Sequence, residues 1–231
     1  SRPLSFLALG LVLVACGAKL QPAQPSAPVA VQIFAPNFEE IDPAKDWAGP
    51  LPSTHAVHGI DISVWQGTID WPTARRSGVN FALMKATEGG DLVDPEFTNW
   101  ENANASGVVR GAYQFFYHCG GSATAQARWF INHVPRAANA LPPVLDMQWT
   151  PYSPTCRTRR PADQIRADAQ TYLAAVQSHY GKRPILYTTV DFFEQNQLWM
   201  LTGTDFWLRS TAGHPSDSYP GQHWLVVSRS W

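Results

Sequence analysis

The chain has 231 residues, of which 45% are hydrophobic and 15% charged, with a formal net charge of −1 and a pI near 6.6. That length supports one domain with a large core and leaves room for a barrel. The composition is globular rather than disordered, and the basic excess that usually marks a nucleic-acid binder is missing. Ten Trp, seven Tyr and eleven Phe are mostly core material, with some to spare for stacking on sugar rings.

Ser1 to Gly17 reads as an export signal, with Arg2 as its positive charge, an apolar run from Leu4 to Ala15, and small residues around Cys16. The run is too short for a bilayer span, which needs ~20 apolar residues. Leu13-Val-Ala-Cys-Gly17 resembles a bacterial lipoprotein signal, so Cys16 is the expected lipidation point and residues 1–18 the signal segment. A plain cleaved signal with an incidental Cys is the alternative. On the first reading the protein meets a membrane only through its N-terminal lipid. Residues 19–55 form a Pro/Ala-rich tether, since Pro22, Pro25, Pro28, Pro36, Pro43, Pro50 and Pro52 break any long element. Within it, Phe34, Phe38 and Trp47 are candidates to pack back on the domain at 56–231.

From Val57 onward strands alternate with helices. Strands are expected over His58–Val64, Phe81–Thr87, Val108–Tyr117, Pro143–Gln148, Pro184–Thr189, Asp205–Arg209 and His223–Val227. Helices are expected over Phe97–Ser106, Ser122–His133 and Asp191–Gln197, with a long one opening at Pro161 and closing at Gly181. Gly67–Trp71 reads as a turn. Repeated βα units imply a parallel sheet covered by helices, either a barrel or an open doubly wound sheet. No GxGxxG or Walker loop is present, which removes the usual nucleotide cofactors. Cys119 and Cys156 follow neighbouring strands and form a disulfide in an oxidising compartment, with two free thiols as the alternative. No CxxC or HxxxH spacing suggests a metal.

Functional residues of such sheets gather where strands end. Those ends carry Asp61 and Ser63, Lys85 and Glu88, Tyr113 and Phe115, Asp146 and Gln148, Tyr187, and Trp207. Residues two apart on a strand share a face, which sets Gln148 beside Asp146. Carboxylates with aromatics, and no Ser-His-Asp pattern, fit glycoside hydrolysis, which uses two carboxyl groups about a glycosidic bond. Each has a plainer alternative: Asp61 as a cap of the following turn, Glu88 as a solvated loop residue, Lys85 as partner to a nearby carboxylate.

His58-Gly-Ile-Asp-Ile-Ser-Val-Trp-Gln-Gly67 with Ile69-Asp-Trp71 resembles the opening of the family 25 glycoside hydrolases, the lysozymes that cleave peptidoglycan. Phe81-Ala-Leu-Met-Lys-Ala-Thr-Glu-Gly89, Gly111-Ala-Tyr-Gln-Phe115, Pro143-Val-Leu-Asp-Met-Gln148, Pro184-Ile-Leu-Tyr-Thr188 and Phe206-Trp-Leu208 continue the likeness in order. The resemblance implies an irregular βα (TIM-like) barrel with few helices after the fifth strand. It also implies hydrolysis of the β-1,4 bond between N-acetylmuramic acid and N-acetylglucosamine; the missing nucleotide and metal motifs add no cofactor, and the lipoprotein-type signal sends the protein to the cell envelope, lipid-anchored or secreted. Asp61 then matches a catalytic-site carboxylate, and Asp146 the residue that orients the substrate acetamido group. Gln148 falls on the catalytic acid. Tyr113, Phe115, Tyr187 and Trp207 fall near the saccharide groove. An amide cannot transfer a proton as a carboxylic acid does, so impaired hydrolysis, or a pseudoenzyme that only binds peptidoglycan, is the expectation. The family pattern also ends in a further strand bearing an aspartate. This sequence runs Leu225-Val-Val-Ser-Arg-Ser-Trp231 instead, so a barrel lacking its last strand is expected.

Overall fold

A computed structural model describes residues 32–35, 50, 54–157, 159–210 and 213–228. The signal segment with Cys16, and Phe38 and Trp47 of the tether, lie outside the described residues. The strands are β1 (Gly59–Ile62), β2 (Phe81–Glu88), β3 (Leu92–Val93), β4 (Val109–Phe115), β5 (Val144–Asp146), β6 (Ile185–Thr188), β7 (Asp205–Arg209) and β8 (Val226–Ser228). The helices are α1 (Trp71–Arg76), α2 (Asn99–Ala105), α3 (Ala123–His133), α4 (Ala162–Tyr180), α5 (Val190–Gln195) and α6 (Pro215–Ser218).

They form an 8-stranded sheet in the order β1-β2-β4-β5-β6-β7-β8, with β3 added antiparallel to β2. All neighbours along the main path are parallel. The path ends at β1 on one side and at β8 on the other among the described residues. Alternation along the strands separates two apolar layers. Ala82, Met84, Ala112, Leu145, Leu186 and Phe206 point outward, where Phe130 of α3 and Ile165, Tyr172 and Val176 of α4 cover them. Leu83, Val144, Ile185 and Trp207 point inward and pack together with Phe81, Tyr113 and Tyr187.

The inner layer shows that the sheet is curled. In a flat sheet β4 and β7 stand three strand spacings apart, about 14 Å. Yet the rings of Tyr113 and Trp207 meet with centroids 6.5 Å apart. Curling around its own side chains, with helices on the outside, departs from the doubly wound alternative, which needs helices on both faces. The crowding is such that a Cβ on Gly111 would stand 2.7 Å from Leu83 Cδ2 and 3.0 Å from Leu141 Cβ.

Helix ends follow local chemistry. Asp70 accepts from the Thr73 amide (3.1 Å) to start α1, Ser122 accepts from Ala125 (3.2 Å) to start α3, and Gly181 ends α4 at φ 68°. Several boundaries differ from those read in sequence. The first strand stops at Ile62 because Ser63 and Gln66 form a capping box around a short turn, Val64–Gln66. The segment Phe97–Ser106 divides into a tight turn, Pro95–Thr98, and α2. β5 ends at Asp146, two residues before Gln148, although the Met147 amide still donates to Tyr187 O (3.0 Å). The last strand falls on Val226–Ser228 rather than His223–Val227.

Of the tether, Phe34 does dock. Its amide donates to Asn80 Oδ1 (2.8 Å), its carbonyl accepts from Asn80 Nδ2 (2.9 Å), and the Arg75 guanidinium lies 4.2 Å from its ring centroid.

Candidate active site

Register brings the polar strand ends together. Glu88, Phe115, Asp146, Tyr187, Trp207 and Val226 are successive neighbours across β2, β4, β5, β6, β7 and β8, so they share the inner face at one level. Glu88 reaches this level through an irregularity between Lys85 and Thr87, which shifts the pairing by one residue. Without it, Lys85 and Glu88 would point to opposite faces. Glu88 is therefore a half-buried strand residue paired with Lys85, not the solvated loop residue expected from its neighbouring glycines. The Lys85 ammonium also lies 5.2 Å from the Phe115 ring.

Asp146 is buried, and the Gln148 side-chain amide donates to both of its oxygens, Nε2 to Oδ1 at 3.0 Å and to Oδ2 at 3.2 Å. Burial pushes the Asp146 carboxyl up to about 8, against the bond from Gln148 and the charge of Lys85, while Asp61 and Glu88 push the same way as burial. Asp61 is exposed, yet the protein around it strips enough water from its carboxyl to raise the pKa, with a backbone hydrogen bond and Arg209 opposing. Capping of the turn after β1 falls to Ser63, so Asp61 is not spent on it.

An open groove of about 1040 Å³ crosses this end of the sheet, from Trp65 after β1 to Arg209 at the end of β7. Gln148 lines it together with Lys85, Glu88, Phe115, Trp149 and Asp191. The aromatics expected at the groove divide. Phe115 lines it, whereas Tyr113 and Tyr187 are half-buried in the inner layer and Trp207 is 4% exposed. The Tyr187 and Trp207 rings meet edge-on at 4.6 Å, and the Trp207 indole N–H has no hydrogen-bond partner among the described residues. Burial and the nearby carboxylates, chiefly Asp146, hold the hydroxyls of Tyr113 and Tyr187 well above the ordinary phenol range.

Behind Gln148, His118 Nε2 faces the Gln148 backbone carbonyl at 3.2 Å, while its ring stacks on Phe192 with centroids 5.4 Å apart. Burial lowers its pKa to about 4, so the imidazole is neutral and Nε2–H donates. Cys119 and Cys156 are joined in a disulfide, which ties the loop after β4 to the loop after β5. Among the described residues no group of three or more His, Cys, Asp or Glu is arranged to hold a metal ion.

Sequence reasoning missed Arg209, Trp65 and Tyr152. Arg209 was within reach, since it follows Trp207 by two on a strand and must share its face. Trp65 stood inside a quoted motif. Tyr152 had no signal, because nothing in the sequence shows a loop folding over a groove.

The groove offers the carboxyl groups of Glu88, Asp91 and Asp191, the Gln148 amide, and aromatic walls. Residues 60–231 match the model of Glycosyl hydrolases family 25. Protein YegX of Escherichia coli K12, named only as uncharacterised, is 36% identical over 166 residues, covering 69% of this chain and 58% of YegX. The chain thus spans less than two-thirds of that relative. Lysozyme M1 of Streptomyces globisporus is 30% identical over 247 residues, covering 97% of this chain and 79% of the lysozyme. A family 25 glycosyl hydrolase from Bacillus anthracis superposes with a TM-score of 0.69 at 31% identity, over 78% of this chain and 82% of that one. A lysozyme from Streptomyces coelicolor does so at 0.66 and 31%, over 77% and 85%.

Proposed function

The chain belongs to glycosyl hydrolase family 25, and from that premise we propose that it is a peptidoglycan muramidase whose hydrolysis is impaired. The substrate is the glycan strand of peptidoglycan, cut at the β-1,4 bond between N-acetylmuramic acid and N-acetylglucosamine. The observation that carries the impairment is the pair Asp146–Gln148. The position from which a proton should reach the leaving oxygen holds an amide, and that amide is committed to the Asp146 carboxyl.

In this reading Asp146 orients the substrate acetamido group and Asp61 supplies negative charge near the developing positive charge of the sugar. Phe115 lines the groove. Tyr113, Tyr187 and Trp207 support it from the inner layer. Gln148 keeps the shape and reach of Glu without its acid function. General acid catalysis contributes ~10²–10⁴-fold, and a loss of that size is the expected deficit. The finer architecture we infer is the irregular TIM-like barrel. Relatives named as lysozymes support an extracytoplasmic site of action, and a disulfide is what an oxidising compartment permits. Lipid attachment at Cys16 through the tether at 19–55 completes the proposal, with no nucleic acid among the partners.

A second reading is favoured by the same amide: a module that grips peptidoglycan without cutting it. Insoluble peptidoglycan separates the two. An impaired enzyme is retained and slowly releases reducing ends. A pure binder is retained and releases none over days, while a chain that is not retained at all contradicts both.

A further inference from the structure

Two rings of the groove have no part in the chemistry above. Trp65 is 87% exposed and Tyr152 96%, and both line the groove. Open rings on loose loops would mean little, but these sit on fixed backbone. Trp65 occupies the short turn after β1, where the Ser63 amide donates to Gln66 Oε1 (2.8 Å) and the Val64 amide donates to Asp94 Oδ2 (3.1 Å). Tyr152 lies in the loop between β5 and α4. That loop is tied by Cys119–Cys156, and the Tyr117 hydroxyl bonds both Ser153 Oγ (2.9 Å) and Thr155 Oγ1 (2.7 Å).

We propose that Trp65 and Tyr152 are stacking platforms for two different sugar units of a glycan strand, and that the Cys119–Cys156 disulfide serves to present Tyr152 to it. The proposal rests on the muramidase reading of the groove and names its outlying contacts. A pyranose ring carries C–H groups on its face and hydroxyls at its rim. A flat aromatic covers the face while polar groups beside it meet the hydroxyls. The groove offers that combination, since Glu88, Asp191 and Arg159 share its lining with the two rings. An apolar peptide or acyl chain would instead cover these polar groups and cut them off from water. Trp65 follows β1 and Tyr152 follows β5, so the two rings stand on separate loops of a groove of about 1040 Å³, which has room for more than one sugar. Trp and Tyr also lose little side-chain freedom on binding, which suits them to carry affinity.

The test is binding of the whole domain to two probes, insoluble peptidoglycan and peptide-free β-1,4-linked N-acetylglucosamine oligomers of increasing length. Trp65→Ala and Tyr152→Ala should each weaken binding of the longer oligomers about tenfold, ~1.4 kcal/mol, and barely affect the shortest. Trp65→Phe and Tyr152→Phe should retain most of the affinity. A Cys119→Ser/Cys156→Ser variant should reproduce the Tyr152→Ala loss, and adding Tyr152→Ala to it should cost little more. Alanine variants that bind as tightly as the wild type overturn the proposal. So do losses seen on peptidoglycan but not on the peptide-free oligomers, which would move the two rings to the peptide stems. A wild-type protein retained by neither probe is a different failure, that of the groove's assignment itself.

Discussion

At Asp146, burial works against one hydrogen bond and one cation, and burial wins. Lys85 and the Gln148 amide favour the carboxylate, but the carboxyl still sits at about 8, far above the ordinary value near 3.9. A carboxyl whose pKa is raised on folding takes up a proton as the chain folds. Stability is therefore greatest below the unfolded pKa and falls as pH rises through the folded one. Asp146→Asn removes that dependence. Its melting temperature relative to the wild type should rise steadily between about pH 4 and 8, and a difference that stays flat or falls across that range would contradict the burial account. Gln148 and Asp146 were both legible in sequence, because strand alternation alone sets them side by side. Glu88 was legible as a strand-end residue, but its place on the same face as Lys85 was not, because the irregularity after Lys85 resets the alternation and no residue type announces it.

Among elements, the long and strongly signalled ones were legible, and so were some as short as β6 and α5, whereas α1, β3 and α6 were not. The turn of α4 into β6 illustrates the first kind. Gly181 adopts φ 68° with no atom within 4 Å of where a Cβ would be, so only backbone conformation demands glycine there. Gly181→Ala should destabilise the domain by about 1 kcal/mol in urea unfolding while leaving glycan binding unchanged. A neutral or stabilising change would mean that the cap contributes nothing. α1, β3 and α6 escaped sequence reading for a physical reason. Six, two and four residues respectively are too few to display a helical or strand period. Their boundaries come from local caps such as Asp70 and His214, and from the register of β2.

Across the whole molecule, the βα repeat was readable from the residues themselves, whereas the curl of the sheet was expected only through the family resemblance. Curl depends on how Gly111, Leu83 and Trp207 fill the inside, and facing positions on distant strands leave no pattern along the chain. The docking of Phe34 belongs to the same scale, since it joins a segment before the domain to Asn80 and Arg75. Phe34→Ala should make residues 32–35 open to limited proteolysis at lower protease concentration, with hydrolysis and glycan retention unaffected. Unchanged cleavage would show that the ring does not hold the segment.

The central claim is that the fold delivers a lysozyme-type groove and that the amide at one position withholds the proton. Gln148→Glu addresses it with a change of one functional group. The initial rate of reducing-end release from purified peptidoglycan should rise ~10²–10⁴-fold over the wild type. It should also decline toward alkaline pH, as the new carboxyl beside Asp146 gives up the proton it must donate. Equal rates for the two proteins, whether both fast or both undetectable, would contradict the account.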